Sequence, residues 1–327
     1  MRFLLALIVA TTLGVLALGY GWIHQRVVLS EPSVDLSIEP GMTAREVAQA
    51  VVQAGVPVNE TLLYVWFRMS GHSRNIKAGS YELTPDTTPR SLLQKLVRGE
   101  EALRAVTLIE GWTFSQVRQA LKKAEHLRPD SKDLPIAALM AQLGKPGMSP
   151  EGRFFPDTYT YSKGSSDIAV LQRAMRAMDK RLDAVWSLRD PQTPLKAPEQ
   201  VLILASIIEK ETGLPSDRPT IAAVFNNRLR IGMRLQTDPT VIFGLGESFD
   251  GNLRKKDLQT DTPWNTYTRS GLPPTAIAMP GKAALLAAVR PGESKALYFV
   301  ARGDGSSEFS NTLDAHNRAV NKYQRGQ

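Results

Sequence analysis

An uncharged run of 21 residues, 3–23, restricts the fold of this chain more than any other feature. An α-helix rises about 1.5 Å per residue, so the run matches a bilayer core of roughly 30 Å. Arg2 precedes it and Arg26 follows it, which permits a cytoplasmic N-terminus with the rest of the chain outside. The sequence therefore predicts a single-pass membrane anchor over residues 1–26.

A cleaved signal peptide is the alternative. Its apolar region is usually about 7–15 residues and ends in a small-x-small site. Ala17-Leu18-Gly19 could serve as such a site. The apolar run is longer than a signal peptide needs, and this favours the uncleaved anchor.

Charge and cysteine content exclude several classes of function. Forty Lys and Arg against 32 Asp and Glu give a net charge of +8, which favours anionic partners such as nucleic acid, anionic lipid or an acidic polymer. The basic residues are scattered without interleaved aromatics, so no nucleic-acid partner is expected. The absence of cysteine excludes disulfides, thiol nucleophiles, Fe–S clusters and Cys-based zinc sites.

Other cofactor and nucleophile motifs are missing too. The four histidines are far apart and no HExxH occurs, so no metal site is expected. The sequence contains no GxxxxGK[ST], GxSxG or SxxK motif, which argues against a P-loop and against the commonest serine hydrolases and penicillin-binding enzymes. We therefore expect neither a metal nor a cofactor.

The first segment after the anchor has a β-α-α-β pattern. Residues 34–38 alternate as a strand, and Thr43 with Glu46 forms a capping box that opens a helix. A second helix is predicted over 58–71 and a second strand over 77–83. The four elements fit within 50 residues, 34–83.

Three helix starts resemble one another. Thr43, Thr88 and Thr113 are each candidate N-caps followed by apolar residues at helical spacing. A true internal repeat and three similar strand-turn-helix starts are equally consistent with this pattern. The unequal spacings of 45 and 25 residues argue against a solenoid.

The remaining chain divides at a loop-rich stretch, residues 125–150, which is rich in proline. Helices are predicted over 167–188 and 198–213, and the following Asn-, Thr-, Gly- and Pro-rich segment indicates a cleft built from loops. The predicted class is α+β: an N-terminal transmembrane helix, a β-α-α-β module and a mixed α+β domain. The predicted boundaries are 1–26, 33–85, 86–150 and 151–327.

Glu211 stands on the apolar face of the predicted helix that begins at Pro198. At about 100° per residue, Ile207 and Ile208 lie about 40° and 60° from Glu211 on either side, whereas Glu209 points about 160° away. Burial among aliphatic groups and the negative end of the helix dipole both disfavour ionisation, which raises a carboxyl pKa. This is how a general acid is prepared for work near neutral pH.

A structural role for Glu211 is the alternative. The residue would then lie in a fraying last turn and reach solvent or pair with Lys210 or Arg218. The neighbouring segments favour a functional role because they concentrate hydroxyl, amide and aromatic groups of the kind that bind sugars. These segments are 226–240, 264–267 and 271–274. The alternative that they are turn residues capping short helices stays open.

Several ordered motifs resemble those of the endolytic murein transglycosylase family, MltG, also called YceG. They lie at residues 151–159, 205–212, 227–229, 233–240, 265–267, 271–274 and 315–317. The resemblance covers nearly the whole chain. It implies a single-pass inner-membrane protein, a periplasmic LysM-like module at 33–85 and a catalytic domain at 151–327 that cuts glycan strands internally.

The resemblance also implies a mechanism and a set of site residues. The second Glu of the EKE string, Glu211, is the acid/base in this family. The substrate-binding residues we expect are Asn227, Arg228, Gln236, Thr237, Asp238, Thr240, Asn265 and Tyr267. Glu211 would cleave the MurNAc-GlcNAc β-1,4 bond and leave a 1,6-anhydro end, and the cut would terminate glycan elongation. Expected partners are peptidoglycan strands, the inner membrane, penicillin-binding proteins and other wall-synthesis enzymes.

Two other functions remain possible at this point. A muramidase would use water, with Asp238 or Glu151 as the second carboxylate. A non-catalytic scaffold would bind peptidoglycan through the LysM-like module and position other enzymes. The products released from peptidoglycan distinguish the three functions.

Overall fold

The structure is a computed structural model that describes residues 2–326. It is a mixed α+β fold, mostly helical, in which the described strands form three two-stranded sheets. The chain separates into two compact units. Unit 1 comprises residues up to 104 together with 160–165, and unit 2 comprises the rest.

The predicted N-terminal helix is present as α1, Arg2–His24. Over Phe3–His24 it is long and apolar enough to cross a membrane: an 18-residue window of this segment has a mean hydropathy of 2.2, and none of that window is buried in the protein. These properties fit a single-pass anchor or a signal sequence.

Unit 1 confirms the predicted β-α-α-β order and adds a further helix. Its elements are β1 Val34–Ile38, α2 Ala44–Gln53, α3 Glu60–Met69, β2 Gly79–Leu83 and α4 Pro89–Arg98. The two strands are antiparallel, with Val34 opposite Leu83 and Ile38 opposite Gly79. The second strand begins at Gly79, two residues later than predicted, because the Lys77 backbone N–H donates instead to the Leu96 carbonyl at 3.1 Å.

The apolar positions predicted from spacing form the core of unit 1. Val47 and Val51 of α2 pack with Leu63 and Phe67 of α3 and with Leu96 of α4. Thr43 and Thr88 cap α2 and α4 as expected, and each makes both hydrogen bonds of a capping box. Local capping and helical periodicity therefore determine these elements.

Unit 2 contains most of the described helices and one complete two-stranded sheet, and a second two-stranded sheet is divided between the units. Its elements are β3 Leu103–Thr107, α5 Phe114–Lys123, α6 Ile136–Gln142, β4 Thr158–Ser162, α7 Asp167–Ser187, α8 Pro198–Glu211, α9 Arg218–Arg230, α10 Asp238–Leu245, α11 Lys255–Gln259, α12 Lys282–Val289, β5 Tyr298–Ala301, β6 Ser307–Ser310 and α13 Leu313–Val320. β3 pairs with β4, and β5 pairs antiparallel with β6. The chain passes from one unit to the other within β3 and β4.

The division into units does not follow the boundaries expected from composition. The proline-rich stretch 125–150 contains α6 and lies inside unit 2. The functional segments 33–85, 86–150 and 151–327 stay predictions.

Helix α8 is the centre of the unit 2 core. Its residues from Val201 to Ile208 are all buried, and it packs against α7, α9, α10 and α12. A helix that is apolar nearly all round is expected in such a central position. The helix ends at Glu211, two residues before the predicted end, because Thr212 leaves helical geometry at ψ 102°.

Candidate active site

Glu211 is the last residue of α8, and its side chain is partly buried. The Thr237 hydroxyl donates a hydrogen bond to Oε1 of Glu211. Thr237 is buried and directly precedes α10. The carboxyl group is therefore held where the end of one helix meets the start of another.

Burial raises the pKa of the Glu211 carboxyl above its ordinary value. The Thr237 hydrogen bond opposes this rise in pKa, the charge of Asp238 adds to it, and the charge of Arg228 opposes it. The pKa direction agrees with the one expected from the apolar face of the helix. A carboxyl group with a raised pKa keeps its proton at higher pH and can act as an acid.

The alternative partners of Glu211 are engaged elsewhere. Arg218 forms an ion pair at 3.9 Å with Glu209, whose side chain is 8% exposed. Lys210 extends toward the Gly111 carbonyl, with its Nζ 3.5 Å from that oxygen. The alternative in which Glu211 pairs with Lys210 or Arg218 therefore does not hold in this structure, because both cations contact other groups.

Asp238 and Tyr267 form a second polar pair beside Glu211. The Tyr267 hydroxyl donates to Oδ1 of Asp238 at 2.5 Å. Burial and this hydrogen bond raise the pKa of Tyr267, so its hydroxyl stays protonated. Asp238 is exposed, and its charge influences Glu211. The pair adds an accessible acceptor to the site.

Arg228, which lies on α9, is the cation of the site. Its Nε donates to the Leu297 carbonyl at 2.7 Å, and its Nη1 donates to the Leu235 carbonyl at 2.6 Å. The guanidinium also lies over the Tyr298 ring, 5.4 Å from the centroid. These contacts fix a buried positive charge that favours the ionised form of Glu211.

Thr237 belongs to a hydrogen-bond network of three threonines. The Thr240 hydroxyl donates to the Thr237 carbonyl at 2.7 Å, and it lies 2.9 Å from the Thr266 hydroxyl. The Thr266 hydroxyl in turn accepts from the Thr237 backbone N–H at 3.1 Å. Thr266 lies in the predicted segment 264–267, but it is not among the expected substrate-binding residues, which include its neighbours Asn265 and Tyr267.

The two asparagines predicted to bind substrate donate hydrogen bonds to backbone carbonyls. The Asn227 amide donates to the Ser294 and Ala296 carbonyls, at 2.9 and 3.0 Å. Asn265 is buried and donates to three carbonyls, of which Thr260 is nearest at 2.7 Å. Both side chains hold loops in place, and contact with substrate stays a prediction for them.

Gln236 has an unusual backbone conformation. Its φ is 46°, in the left-handed region that a residue with a side chain rarely adopts. Its backbone N–H donates to the Thr266 carbonyl at 3.2 Å, and its side chain is exposed. The turn at Gln236 brings Thr237 into register with Thr266.

The loop that carries the second predicted cluster lines a cavity of about 280 Å³. Its walls include Trp264, Thr266 and Pro274, and Glu211 is not among its lining residues. The Trp264 indole N–H donates to the Thr275 hydroxyl at 2.9 Å. The ring also packs edge-on against Phe243, 5.5 Å between centroids. The cavity shares Thr266 with the threonine network.

Glu151, the other candidate second carboxylate, has a partner of its own. It accepts the backbone N–H of Phe114, the first residue of α5, at 3.0 Å. Burial raises the pKa of Glu151 to about 7, and the Phe114 hydrogen bond opposes the rise. This carboxyl group therefore stabilises the start of α5.

The fold and this site define a mixed α+β protein with a partly buried carboxyl group whose pKa is raised. The chain belongs to the YceG-like family, whose profile matches residues 36–322. The resemblance found in the sequence motifs is thereby confirmed.

Relatives of known name share much of the chain. An endolytic murein transglycosylase of Bacillus subtilis (strain 168) is 30% identical over 311 residues, which is 90% of this chain and 86% of that protein. A second protein of that name, from Streptococcus pneumoniae serotype 2, is 26% identical over 89% of this chain and 58% of its own length. The crystal structure of a YceG-like protein from Listeria monocytogenes aligns with a TM-score of 0.55 at 28% identity, covering 88% of this chain and 99% of the other.

Proposed function

We propose that this protein is a membrane-anchored endolytic lytic transglycosylase that cleaves peptidoglycan strands internally. The observation that carries the proposal is Glu211, a partly buried carboxyl with a raised pKa, bonded to Thr237 and next to Asp238. Membership of the YceG-like family and relatives named endolytic murein transglycosylase support the same activity.

The proposed reaction needs one acid that later acts as a base. Protonated Glu211 donates its proton to the glycosidic oxygen between N-acetylmuramic acid and N-acetylglucosamine as the C1–O bond breaks. The resulting carboxylate takes the proton from the muramyl C6 hydroxyl, whose oxygen bonds to C1. The product is a 1,6-anhydro end, and no water is consumed.

The surrounding groups would assist this reaction in distinct ways. Thr237 orients the Glu211 carboxyl, and Arg228 favours its ionised form in the second half of the cycle. Exposed Asp238 and its partner Tyr267 offer hydrogen bonds to sugar hydroxyls. A retaining or inverting hydrolase would instead need a second carboxylate as nucleophile or to activate water.

The wider role follows from the anchor and the N-terminal module. Helix α1 would hold the chain in the inner membrane with both units in the periplasm, and the β-α-α-β module at 33–85 would bind peptidoglycan as a LysM-like module. Cleavage near the membrane would terminate nascent strands, in contact with penicillin-binding proteins and other wall-synthesis enzymes.

The test is mass spectrometry of fragments released from peptidoglycan by the full chain and by its Glu211→Gln variant. We expect anhydromuramyl ends from the parent and a loss of about 10²–10⁴-fold in the variant, the usual contribution of a general acid. Glu247→Gln, an exposed glutamate in the same unit, is the control for the change in charge and should remain active.

Each other product pattern contradicts the proposal in a defined way. Reducing ends would identify a muramidase and direct attention to Asp238 or Glu151. Retained peptidoglycan binding without products from either chain would identify a non-catalytic scaffold.

A further inference from the structure

A cavity of about 440 Å³ opens in unit 1 where the C-terminal end of α1 meets α3 and α4. Two aromatic residues, two histidines and two arginines line it: Tyr20, Trp66, His24, His72, Arg90 and Arg98. None of them belongs to the candidate active site, which lies in unit 2. The cavity therefore needs a separate explanation.

The position of this cavity relative to a membrane is set by α1. The apolar part of this helix is exposed along its length, and Tyr20 and His24 lie in its last two turns. If α1 spans the bilayer as proposed above, its last turns lie at the level of the lipid headgroups. Tyr and Trp are enriched at this level because one part of each ring is apolar and the other is polar. Tyr20 and Trp66 therefore place the cavity at the membrane surface.

Arg90 is held at the end of α1 by a specific hydrogen bond. Nδ1 of His24 lies 2.8 Å from the Tyr20 carbonyl, to which it must donate. Nε2 of the neutral ring is then the acceptor, and Nη1 of Arg90 donates to it at 2.8 Å. This bond uses one of the five guanidinium N–H groups and orients the cation in the wall of the cavity.

Arg98 adds a second cation from the last turn of α4. Its side chain is 67% exposed, and its ion pair with Glu100 is 3.4 Å long. Glu100 is not among the residues that line the cavity. Exposed pairs of this kind contribute little to stability, so Arg98 can exchange this partner for another anion.

An exposed apolar stripe on α3 lies beside the cavity. Leu62, Val65 and Met69 are 50%, 41% and 77% exposed. On an α-helix they lie within about 60° of one another, and Leu62 lies about 40° from Trp66 in the cavity wall. A charged cavity next to an exposed apolar helix face is the arrangement of a helix that rests on a membrane surface.

We propose that this cavity binds the phosphate of an anionic phospholipid, with Arg90 and Arg98 contacting the phosphate and the stripe of α3 contacting the acyl chains. Two arginines match a phosphate, whose oxygens accept paired N–H groups. A neutral glycan would need neither the two cations nor the apolar stripe. The proposal rests on the anchoring of α1, and it is independent of the chemistry at Glu211.

The test is native mass spectrometry of the full chain in detergent, titrated with phosphatidylglycerol or with phosphatidylcholine. We expect preferential binding of phosphatidylglycerol. Since a hydrogen bond between charged groups contributes about tenfold to an equilibrium constant, Arg90→Gln and Arg98→Gln should each weaken the binding of phosphatidylglycerol by about tenfold. Arg90→Lys keeps the charge and should retain most of the binding.

Arg68→Gln is the matched control. Arg68 is an exposed cation on α3 that does not line the cavity, so its loss removes the same charge and should leave binding unchanged. The release of anhydromuramyl products should be unchanged in all these variants. A failure of the lipid site is thereby distinguished from a failure of the proposed activity.

Three results would overturn the proposal. These are equal affinity of the parent, Arg90→Gln and Arg98→Gln for phosphatidylglycerol, displacement of the lipid by equimolar inorganic phosphate, and displacement by a soluble glycan fragment. The last two would assign the cavity to free phosphate or to glycan. If Arg90→Gln fails to fold, Arg98→Gln decides alone, because that side chain is exposed and makes only a surface ion pair.

Discussion

At the scale of single residues, the proton affinity of Glu211 results from opposing contacts. Burial raises its pKa, and the hydroxyl of Thr237 and the charge of Arg228 limit the rise. A transglycosylase needs this balance, because the same group must first give up a proton and then accept one. A carboxyl group buried without these contacts would be a weaker acid in the first step.

Replacing Thr237 with Val tests this balance. The hydroxyl stabilises the ionised form of Glu211, so its loss should raise the pKa further. In the proposed mechanism protonated Glu211 is the active form in bond cleavage, so activity should fall as pH rises through its pKa. The alkaline limb of kcat/KM should therefore move to higher pH in Thr237→Val, as measured by product release across pH.

Thr212→Val provides the comparison for this experiment. Thr212 follows Glu211 directly, and its hydroxyl donates to the Ile208 carbonyl. Its replacement should leave the alkaline limb in place. If the alkaline limb of Thr237→Val keeps its pH position or moves to lower pH, the role assigned to the Thr237 hydrogen bond is contradicted.

At the scale of elements, α8 is fixed by polar contacts as well as by apolar packing. The Ser206 hydroxyl is buried, donates to the Ile203 carbonyl at 2.7 Å and accepts the Ile277 backbone N–H at 3.0 Å. Glu209 accepts the Gly281 N–H at 2.9 Å, just before α12 begins. These contacts join α8 to the segment that precedes α12 and so position the turn that carries Glu211.

Ser206→Ala should lower the free energy of unfolding by about 1–3 kcal/mol, because the Ile277 N–H is left buried without an acceptor. Ser187→Ala removes an exposed hydroxyl at the end of α7 and should change the free energy of unfolding by no more than about 0.5 kcal/mol. Thermal unfolding of both variants in detergent measures the difference. Equal stability of the two variants would mean that another group or a water satisfies the Ile277 N–H.

At the scale of the whole molecule, the apolar helix and the net positive charge are both features expected of a chain that binds a membrane. An 18-residue window within Phe3–His24 has a mean hydropathy of 2.2, and the chain carries a net charge of +8. A hydrophobic helix of this length binds a bilayer firmly, and basic groups near its end add attraction to anionic lipid.

Alkaline extraction of membranes should leave the full chain in the pellet, whereas a chain without residues 1–26 should appear in the supernatant. The N-terminus of the membrane-bound chain, determined by mass spectrometry, should lie before residue 17. An N-terminus just after Gly19 would instead identify a cleaved signal peptide.

The sequence by itself determined the features that depend on neighbouring residues. Thr43 and Thr113 cap their helices through hydrogen bonds to residues three positions on, and helical periodicity placed Glu211 on an apolar face. The length of the apolar run likewise predicted α1. Such features are readable because their energies arise within one or two turns of a helix.

Only the tertiary structure decided which groups meet at the site. Thr237 reaches Glu211 across 26 residues, Thr240 reaches Thr266 across 26, and Asn227 reaches Ser294 across 67. No local pattern encodes these pairs, since each depends on how separate helices and loops pack. For the same reason Asn227 and Asn265 hold backbone carbonyls, although amides of this type also bind sugars. Thr266 joins the threonine network, although it was not one of the individual residues predicted to bind substrate. Composition shows which groups can bind a ligand, and packing decides which of them have other partners.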